Sequence, residues 1–237
     1  MFTKENPRRM TDQRIRQQYD GLYNVNWLKS RTSLLARVLR YIPARPQATL
    51  LDVACGDGQM APLAEAHGLR YFGLDFSLSG VRLVGRKKGI VGDGMHLPFP
   101  DDTFDFVTNV GSLEHFIDPA LGVQEMARVL KHDALACILL PNAFSLTWNV
   151  LRVWRTGDLA GDDGQPIQRF GTHGAWQHLL EQNGMVVEEV AGYERSWPKN
   201  RHDWLLYFEQ PKELLLALLS PLLPLHARRC YIFVCRK

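Results

Sequence analysis

The chain has 237 residues, 46% of them apolar and 22% charged, with a formal net charge of +3. This length and composition predict one ordinary globular domain, and so small a charge, without a run of lysines and arginines among aromatic residues, disfavours a nucleic-acid partner. Four cysteines without a CxxC pair predict reduced thiols and a cytoplasmic location, and no secretory signal, membrane span or metal site is expected.

The first half of the chain predicts alternating helices and strands. A leucine-striped helix over residues 31–42 is broken by PARPQ, because proline denies the backbone a donor. Five strands follow, at TLLDVA, RYFGLD, GIVGD, FDFVTNV and ALACILLP. Between the fourth and fifth strands, Asp118 and Pro119 begin a helix that runs to Leu130. Strands that alternate with helices predict a doubly wound, mostly parallel α/β sheet.

The second half predicts a helix over residues 145–156, a loop rich in glycine and aspartate, and a helix from Thr172 to Gln182. MVVEEVAGYE and RCYIFVCRK add two strands, which brings the sheet to seven. We expect a single domain, 1–237, with an N-terminal helical cap at 1–47 and a cofactor-binding core at 48–142. The remainder, 143–237, would then supply a substrate-covering segment over the carboxyl edge of the sheet and the last two strands.

The stretch GDGQMA, residues 56–61, points to a nucleotide-like ligand. It fits the dinucleotide pattern G-x-G-x-x-A, with Asp75 near the expected ribose-binding acid, so an NAD(P)-dependent oxidoreductase is one reading. Asp52 and Asp57 flank the turn; they would repel a diphosphate, which prefers positive surroundings, and suit a ligand with an ammonium and a sulfonium group. Asp93, after the third strand, can accept a hydrogen bond from an exocyclic amine.

Five blocks, LLDVACGDG, GLDFS, VGDGMHLPFPDDTFDFV, SLEHFIDP and EMARVLKHDALACILLPN, together resemble one family. They are similar to the class I S-adenosylmethionine-dependent methyltransferases of the ubiquinone-biosynthesis-like, type 11 group, over about residues 48–142. The resemblance implies a Rossmann-like sheet with an antiparallel C-terminal strand, S-adenosyl-L-methionine as cofactor and S-adenosyl-L-homocysteine as product. The chain departs from the family at KHDA, where a lysine-proline-glycine-glycine turn is usual before the fifth strand.

The resemblance also implies a set of cofactor-binding residues at the ends of the first four strands. Asp75 would accept from both ribose hydroxyls, Phe76 would lie against the adenine, and Asp93 would accept from the adenine amine. Tyr19, on the N-terminal helix, is read either as a lid residue over the ligand or as a packing residue. The full set is Tyr19, Asp52, Ala54, Cys55, Gly56, Gly58, Asp75, Phe76, Asp93, Gly94, Met95, Asn109 and Val110.

The methyl acceptor is less constrained by the sequence. The fourth strand ends in NVGS and lacks the Asn/Asp-Pro-Pro-Tyr/Phe motif of resembling enzymes that methylate amino groups of bases and glutamine. We therefore expect transfer to oxygen or carbon of a small-molecule acceptor, or of one linked to a lipid or sugar. A hydroxyl nucleophile usually needs a base, and His115 and His173 are the candidates, each with a purely structural role as its alternative. A third hypothesis is an S-adenosylmethionine-binding module without catalysis.

The leucine-rich stretch at residues 211–229 raises the question of a membrane. One hypothesis buries the leucines at 215, 216, 218 and 219 against the domain; the other places them, with the basic residues that follow, on an anionic bilayer. Packing is favoured, because nearly continuous leucine leaves none of the charged polar face that an interfacial helix needs.

Overall fold

The computed structural model describes residues 2–3, 12–24, 32–84, 88–159, 165, 167–194, 204, 208 and 211–237. Its strands, in chain order, are β1 (Phe2–Thr3), β2 (Thr49–Val53), β3 (Arg70–Asp75), β4 (Gly89–Val91), β5 (Phe104–Val110), β6 (Leu130–Pro141), β7 (Arg169–Phe170), β8 (Val186–Tyr193) and β9 (Cys230–Arg236). Part of the expected glycine- and aspartate-rich loop, residues 160–164 and 166, lies outside the described residues.

Seven of these strands form one sheet in the order β4-β3-β2-β5-β6-β9-β8. Strand β9 is antiparallel to both of its neighbours, whereas β2 to β6 pair in parallel. The expected doubly wound, mostly parallel sheet with an antiparallel last strand is confirmed. The strand order reverses between β2 and β5, and ligands of open α/β sheets bind beyond the carboxyl ends at such a point.

The helices alternate with the strands as the sequence predicts. They are α1 (Asp12–Asn24), α2 (Thr32–Val38), α3 (Met60–Ala66), α4 (Leu78–Val84), α5 (Pro119–Val129), α6 (Leu151–Thr156), α7 (His173–Gln182) and α8 (Pro211–Leu219). A 3-10 turn, Leu39–Tyr41, prolongs α2, and a π-helical turn, Leu146–Val150, leads into α6. Both expected N-caps form: the Asp118 carboxylate accepts from the backbone of Ala120 and Leu121, and the Thr172 hydroxyl accepts from Ala175.

Both faces of the central strands are covered. Leu50 and Leu51, neighbours on β2, point to opposite faces and are both fully buried. Leu51 belongs to the core cluster that contains Met126 of α5 and Trp176 of α7, and Leu50 belongs to the cluster that contains Met60 of α3. This double cover explains why the strands read as apolar runs rather than as alternating patterns.

The unusual KHDA stretch lies inside β6, which begins at Leu130 rather than at Ala134. Its pairing with β5 shifts register between Phe104 and Phe106, so the extra residues form a bulge instead of a separate turn. Asp133 has φ +58°, in the left-handed region that aspartate enters more readily than most residues. An aspartate here takes a conformation suited to glycine, and the pairing of β5 with β6 resumes beyond the bulge.

The leucine-rich helix α8 does not pack as expected. Leu215, Leu218 and Leu219 are 56%, 54% and 42% exposed, so the expected burial of these three leucines is wrong. Leu216 is half-buried, and the buried positions are Ala217 of α8 and Ser220 of the 3-10 turn that follows it. A helix that is leucine on nearly every side carries no periodic signal, and the small residues determine which side faces the domain. Among the described residues, no helix has the length and hydropathy needed to cross a membrane.

The observed orientation of α8 gives a stability prediction for two neighbouring residues. Ala217→Asp places a carboxylate at a buried position and is expected to lower the free energy of unfolding by about 2–4 kcal/mol. Leu218→Asp, on the next and exposed residue, should change it by about 0.5 kcal/mol or less. Urea unfolding followed by circular dichroism measures both variants, and a larger loss for Leu218→Asp would contradict this orientation of α8.

Candidate active site

A tightly turned loop follows β2. Its backbone is left-handed at Ala54, Gly56 and Gly58, where φ is +59°, +61° and +74°. At Gly58, a Cβ atom would lie 2.9 Å from both methyl groups of Val84 on α4, so only glycine fits between the loop and that helix. The loop therefore owes its shape both to backbone conformation and to its close approach to α4.

Asp75, the last residue of β3, joins three segments of the chain. Its carboxylate accepts from the backbone N–H of Gly56 at 2.8 Å and from that of Ser77, also at 2.8 Å. Its main-chain oxygen accepts from the N–H of Gly92, just past β4, at 2.9 Å. The side chain is 5% exposed, so the glycine loop is fixed to β3 by a buried, charge-assisted hydrogen bond.

Asp52 lies on β2 and bonds to both neighbouring strands. Thr108 of β5 donates to one carboxylate oxygen at 2.8 Å, and the Tyr71 hydroxyl of β3 donates to the other at 3.1 Å. Burial raises the pKa of Asp52 to about 7 against these two hydrogen bonds, and the nearby charge of Asp75 acts in the same direction as burial. Gly73 makes room for this contact, since a Cβ there would lie 2.8 Å from the Tyr71 hydroxyl.

The loop after β4 forms a third edge of the site. Asp93 accepts from the N–H of Met95 at 2.8 Å, and its other carboxylate oxygen lies 3.1 Å from Nδ1 of His96. The backbone of Gly94 lies under the Phe116 ring, where a Cβ would come within 2.5 Å of the ring. The predicted adenine-binding residues are thus held together at the carboxyl edge, next to the segment that follows β5.

The end of β5 is tied to the end of β2 through Asn109. Its side-chain amide donates to the carbonyl of Val53 at 3.1 Å and accepts from the N–H of Leu113 at 2.9 Å. Asn109 is fully buried and so fixes the turn after β5. Val110, the last residue of β5, is half-buried beside it.

Helix α1 lies against the start of α4 and against the predicted adenine position. The Arg16 guanidinium carbon is 4.4 Å from the centroid of the Phe76 ring, and Asp20 accepts from the Ser77 hydroxyl and from the N–H of Ser79. Burial opposes the charge of Asp20, but these hydrogen bonds and nearby Arg16 hold its pKa below the usual value. Tyr19 is half-buried on the same turn of α1.

His115, one of the two candidate bases, is buried just past β5. Its Nδ1 bonds to the carbonyl oxygen of Ile167, and its Nε2 lies 3.7 Å from the carboxylate of Glu114. Arg169 donates to the carbonyls of Glu114 at 3.1 Å and Ile117 at 3.0 Å. The segment around residues 167–169 is thereby fixed on the turn that carries His115.

His173, the other candidate base, lies elsewhere. Its ring centroid is 5.3 Å from that of His226, 5.6 Å from Tyr231 and 5.8 Å from Phe233. Burial and the neighbouring His226 lower its pKa. These ring neighbours belong to β9 and the turn before it, rather than to the loops after β2, β3 and β5.

Sequence reasoning did not identify several residues that shape the site. Thr108 and Tyr71 bind Asp52, and the register that pairs Asp52 with Thr108 becomes visible only once the strand order is known. Glu114 lies beside His115 within the SLEH block, so this acid could have been proposed from adjacency. Asp20 carries no local signal, because its partner is more than fifty residues away. Among the described residues, no group of three or more His, Cys, Asp or Glu side chains is placed to hold a metal ion.

Comparisons with known proteins identify relatives of the core and of the fold. Residues 51–138 match the family described as "Methyltransferase domain". Among curated proteins, the chain is 39% identical over 90 residues to a demethylmenaquinone methyltransferase of Corynebacterium kroppenstedtii. These 90 residues are 37% of this chain and 39% of that protein. It is 34% identical over 129 residues to the protein of the same name from Bacillus licheniformis, or 50% of this chain and 56% of that protein. The match therefore spans only about half the length of these relatives, or less.

Solved structures share the fold over nearly the whole chain. A S-adenosylmethionine-dependent methyltransferase from Archaeoglobus fulgidus superposes with a TM-score of 0.63 at 19% identity, covering 92% of this chain and 100% of that chain. The crystal structure of a 4+2 cyclase superposes with a TM-score of 0.68 at 19% identity, covering 96% of this chain and 97% of that chain. At this level of identity the likeness establishes the fold alone, and the second structure shows that the fold also occurs in a protein named for a different reaction.

Asp52 yields a prediction about pH. The pKa of Asp52 in the folded, ligand-free protein is about 7, above the ordinary value of 3.8. The neutral carboxyl group therefore stabilises the folded protein fully below pH 3.8. This contribution to stability is lost as the pH rises through 7. Relative to Asp52→Asn, wild-type stability should fall by up to about 4 kcal/mol between about pH 4 and pH 8. Urea unfolding of both proteins across this range measures the difference.

The matched control is Asp57→Asn, which changes a carboxylate on the same loop that bonds to the side chain of Gln59 instead. Its stability curve corrects for the loss of one negative charge from this loop. If wild type and Asp52→Asn show parallel stability curves over this range, the pKa of Asp52 is not raised.

Proposed function

We propose that this chain, whose residues 51–138 match the methyltransferase domain family, is a class I S-adenosylmethionine-dependent methyltransferase. It would transfer the methyl group of S-adenosyl-L-methionine to a small-molecule acceptor. The transfer is to oxygen or carbon, and S-adenosyl-L-homocysteine is the second product. One observation carries the proposal: two buried carboxylates, Asp52 and Asp75, lie at the carboxyl ends of adjacent parallel strands, and Asp75 holds the glycine loop.

The charge of this site suits S-adenosylmethionine better than a dinucleotide. The ligand carries a sulfonium and an ammonium group, both attracted to a carboxylate-rich pocket, whereas a diphosphate would be repelled by it. A bound cation would also favour the charged form of Asp52, whose pKa burial raises in the ligand-free protein. The oxidoreductase alternative is therefore disfavoured on electrostatic grounds.

The binding roles follow from position. A carboxylate oxygen can accept more than one hydrogen bond, so the bonds of Asp75 to Gly56 and Ser77 are compatible with binding two ribose hydroxyls. The backbone of residues 54–56 and the end of β5 at residues 109–110 would contact the methionine arm. Asp93 and the backbone of residues 94–95 would contact the adenine. The Arg16 guanidinium lies over one face of Phe76, and adenine would stack there once this side chain moves aside. Helix α1, with Tyr19, would then act as a lid.

His115 is the base that the geometry favours. The carbonyl of Ile167 can only accept a hydrogen bond, so Nδ1 of His115 must donate to it. In the neutral ring the lone pair is then on Nε2, and Nε2 is the atom that would take the proton of a hydroxyl nucleophile. The Glu114 carboxylate, 3.7 Å from Nε2, would stabilise the imidazolium that forms. His173, packed in its aromatic cluster with a lowered pKa, is the weaker candidate.

The acceptor class comes from the relatives. Those reported above are named demethylmenaquinone methyltransferases, and by analogy we propose a substituted aromatic ring, free or lipid-linked, as the acceptor. The N-terminal cap at 1–47 and the substrate-covering segment within 143–237 would close over this ring, in a protein that acts in the cytoplasm. Once ring, methyl and sulfur are aligned, positioning alone can supply roughly 7–11 kcal/mol of rate advantage.

The cofactor assignment is tested by binding. Asp75→Asn should weaken S-adenosylhomocysteine binding by about 2–4 kcal/mol, through loss of charge-assisted hydrogen bonds, as measured by isothermal titration calorimetry. Asp101→Asn makes the same charge change on an exposed side chain that pairs with Arg128 and should bind like wild type. A thermal melt of each variant verifies folding.

Two results would count against this assignment. Affinity of Asp75→Asn within threefold of wild type would remove Asp75 from the site. Wild-type protein that binds NADH but not S-adenosylhomocysteine would instead favour the oxidoreductase.

The base assignment is tested by turnover. The acceptor is a short-tailed demethylmenaquinol, whose ring offers two hydroxyls and one unsubstituted carbon. With S-adenosylmethionine, His115→Gln should lower kcat about 10² to 10⁴-fold if product analysis finds the methyl on oxygen. Its affinity for S-adenosylhomocysteine should stay unchanged, and His173→Gln serves as the matched control. A loss of less than tenfold in both variants would point to a carbon acceptor that needs no base. A wild-type protein that binds S-adenosylhomocysteine and methylates neither this ring nor related phenols would favour the binding module.

A further inference from the structure

The segment that follows β6 exposes apolar side chains on its outer side. We call this the α6 surface, and it consists of Phe144, Leu146, Val150, Leu151, Val153 and Trp154. Trp154 is 84% exposed and Phe144 57%. Residues 146, 150, 153 and 154 follow the spacing of one helical face, so they form a continuous stripe rather than scattered contacts.

The inner side of the same segment makes polar contacts and one aromatic contact, in which Trp148 packs against Phe170. Ser145 and Asn149 are buried; the Ser145 hydroxyl accepts from the N–H of Trp148, and the Asn149 amide donates to the carbonyl of Asn142 at 3.0 Å. Thr147 donates its hydroxyl to the buried carboxylate of Glu194. A surface helix in water normally turns its apolar side inward. Here α6 has no buried residue, and the large apolar side chains of the segment other than Trp148 are exposed to solvent. This exposure marks the outer face as a contact surface.

The charges of the segment have one sign. Between Asp133 and Asp158 the chain contains no acidic residue, while Arg152 and Arg155 of α6 are exposed beside Trp154. Trp154 has leucine and valine neighbours and is flanked by arginines. This combination is typical of helices that lie in a membrane interface. Arginines in this position attract anionic headgroups.

A second copy of the chain is a poorer occupant. A twofold dimer through this face would place each α6 surface on its own counterpart. The arginines of the two copies would then meet, and the nearest acidic residue in the chain, Asp158, lies beyond the end of α6. Anionic lipid complements the charge that a second copy would repel.

The surface also lies at the edge of the sheet where the candidate site opens. It begins three residues after β6 ends at Pro141, and β6 is parallel to β5, which carries the turn of His115. Asn142 pairs with Gly171, so the start of this segment connects directly to the residues that contact His115. A membrane against the α6 surface would therefore lie on the side from which an acceptor enters.

We propose that the α6 surface docks on an anionic membrane, where the chain takes an acceptor dissolved in the lipid. The docking stands on the surface itself, and the lipid-dissolved acceptor rests on the proposed methyltransferase function. Trp154 and its apolar neighbours enter the headgroup region, and Arg155 pairs with anionic headgroups.

The test is co-sedimentation with vesicles of an equal mixture of phosphatidylglycerol and phosphatidylcholine, compared with phosphatidylcholine alone. Wild type should bind the anionic vesicles, more weakly at high salt. Trp154→Ser should weaken binding about tenfold or more, and Arg155→Gln about fivefold. The matched control is Leu83→Ser, which removes a 60% exposed leucine from α4. Helix α4 packs against β3 and β4 at the opposite edge of the sheet, so this variant should bind vesicles like wild type.

A second readout separates docking from folding and from the cofactor site. Trp154→Ser should keep the melting temperature and S-adenosylhomocysteine affinity of wild type, yet lose turnover of a long-tailed acceptor in vesicles while retaining it on a short-tailed one. Equal vesicle binding by wild type and Trp154→Ser, or a concentration-dependent dimer that Trp154→Ser dissolves without any vesicle binding, would overturn the proposal. If wild type binds vesicles but no S-adenosylhomocysteine, the methyltransferase proposal fails and the docking surface stands.

Discussion

The hydrogen bond between the Asp75 carboxylate and the N–H of Gly56 is the contact on which the candidate site depends. It joins the end of β3 to the loop that follows β2, while the second oxygen of the same carboxylate fixes the turn at Ser77. The loop can offer this N–H because its backbone turns left-handed at Ala54 and Gly56. One buried acid thus places the proposed ribose-binding group and the proposed methionine-binding backbone at a fixed separation before any ligand arrives.

The burial of two neighbouring carboxylates is electrostatically unfavourable in the ligand-free protein. Asp52 and Asp75 are both buried, and the desolvation of Asp52 raises its pKa to about 7 despite hydrogen bonds from Thr108 and Tyr71. A ligand that brings positive charge relieves this cost and therefore binds more tightly than its contacts alone would give. Preorganisation of this kind is costly for stability and favourable for binding, which is the usual compromise at a functional site.

Sequence reasoning succeeded where a local signal and the tertiary structure agree. The strands at 70–75 and 104–110 and the caps at Asp118 and Thr172 all have such signals. The antiparallel direction of the last strand was expected only from the family resemblance. It failed on α8, because nearly continuous leucine has no helical period and only the small Ala217 shows which side packs. It could not find the docking of α1 through Asp20, since that contact depends on tertiary structure alone. The cofactor roles of the individual site residues stay predictions.

The most direct measurement is a crystal structure of the protein with S-adenosylhomocysteine. The account predicts both ribose hydroxyls within hydrogen-bond distance of the Asp75 carboxylate, with the bond from Gly56 to Asp75 retained, and the sulfur turned toward His115. A nucleoside bound away from the loop after β2, or ribose hydroxyls held by groups other than Asp75, would contradict it.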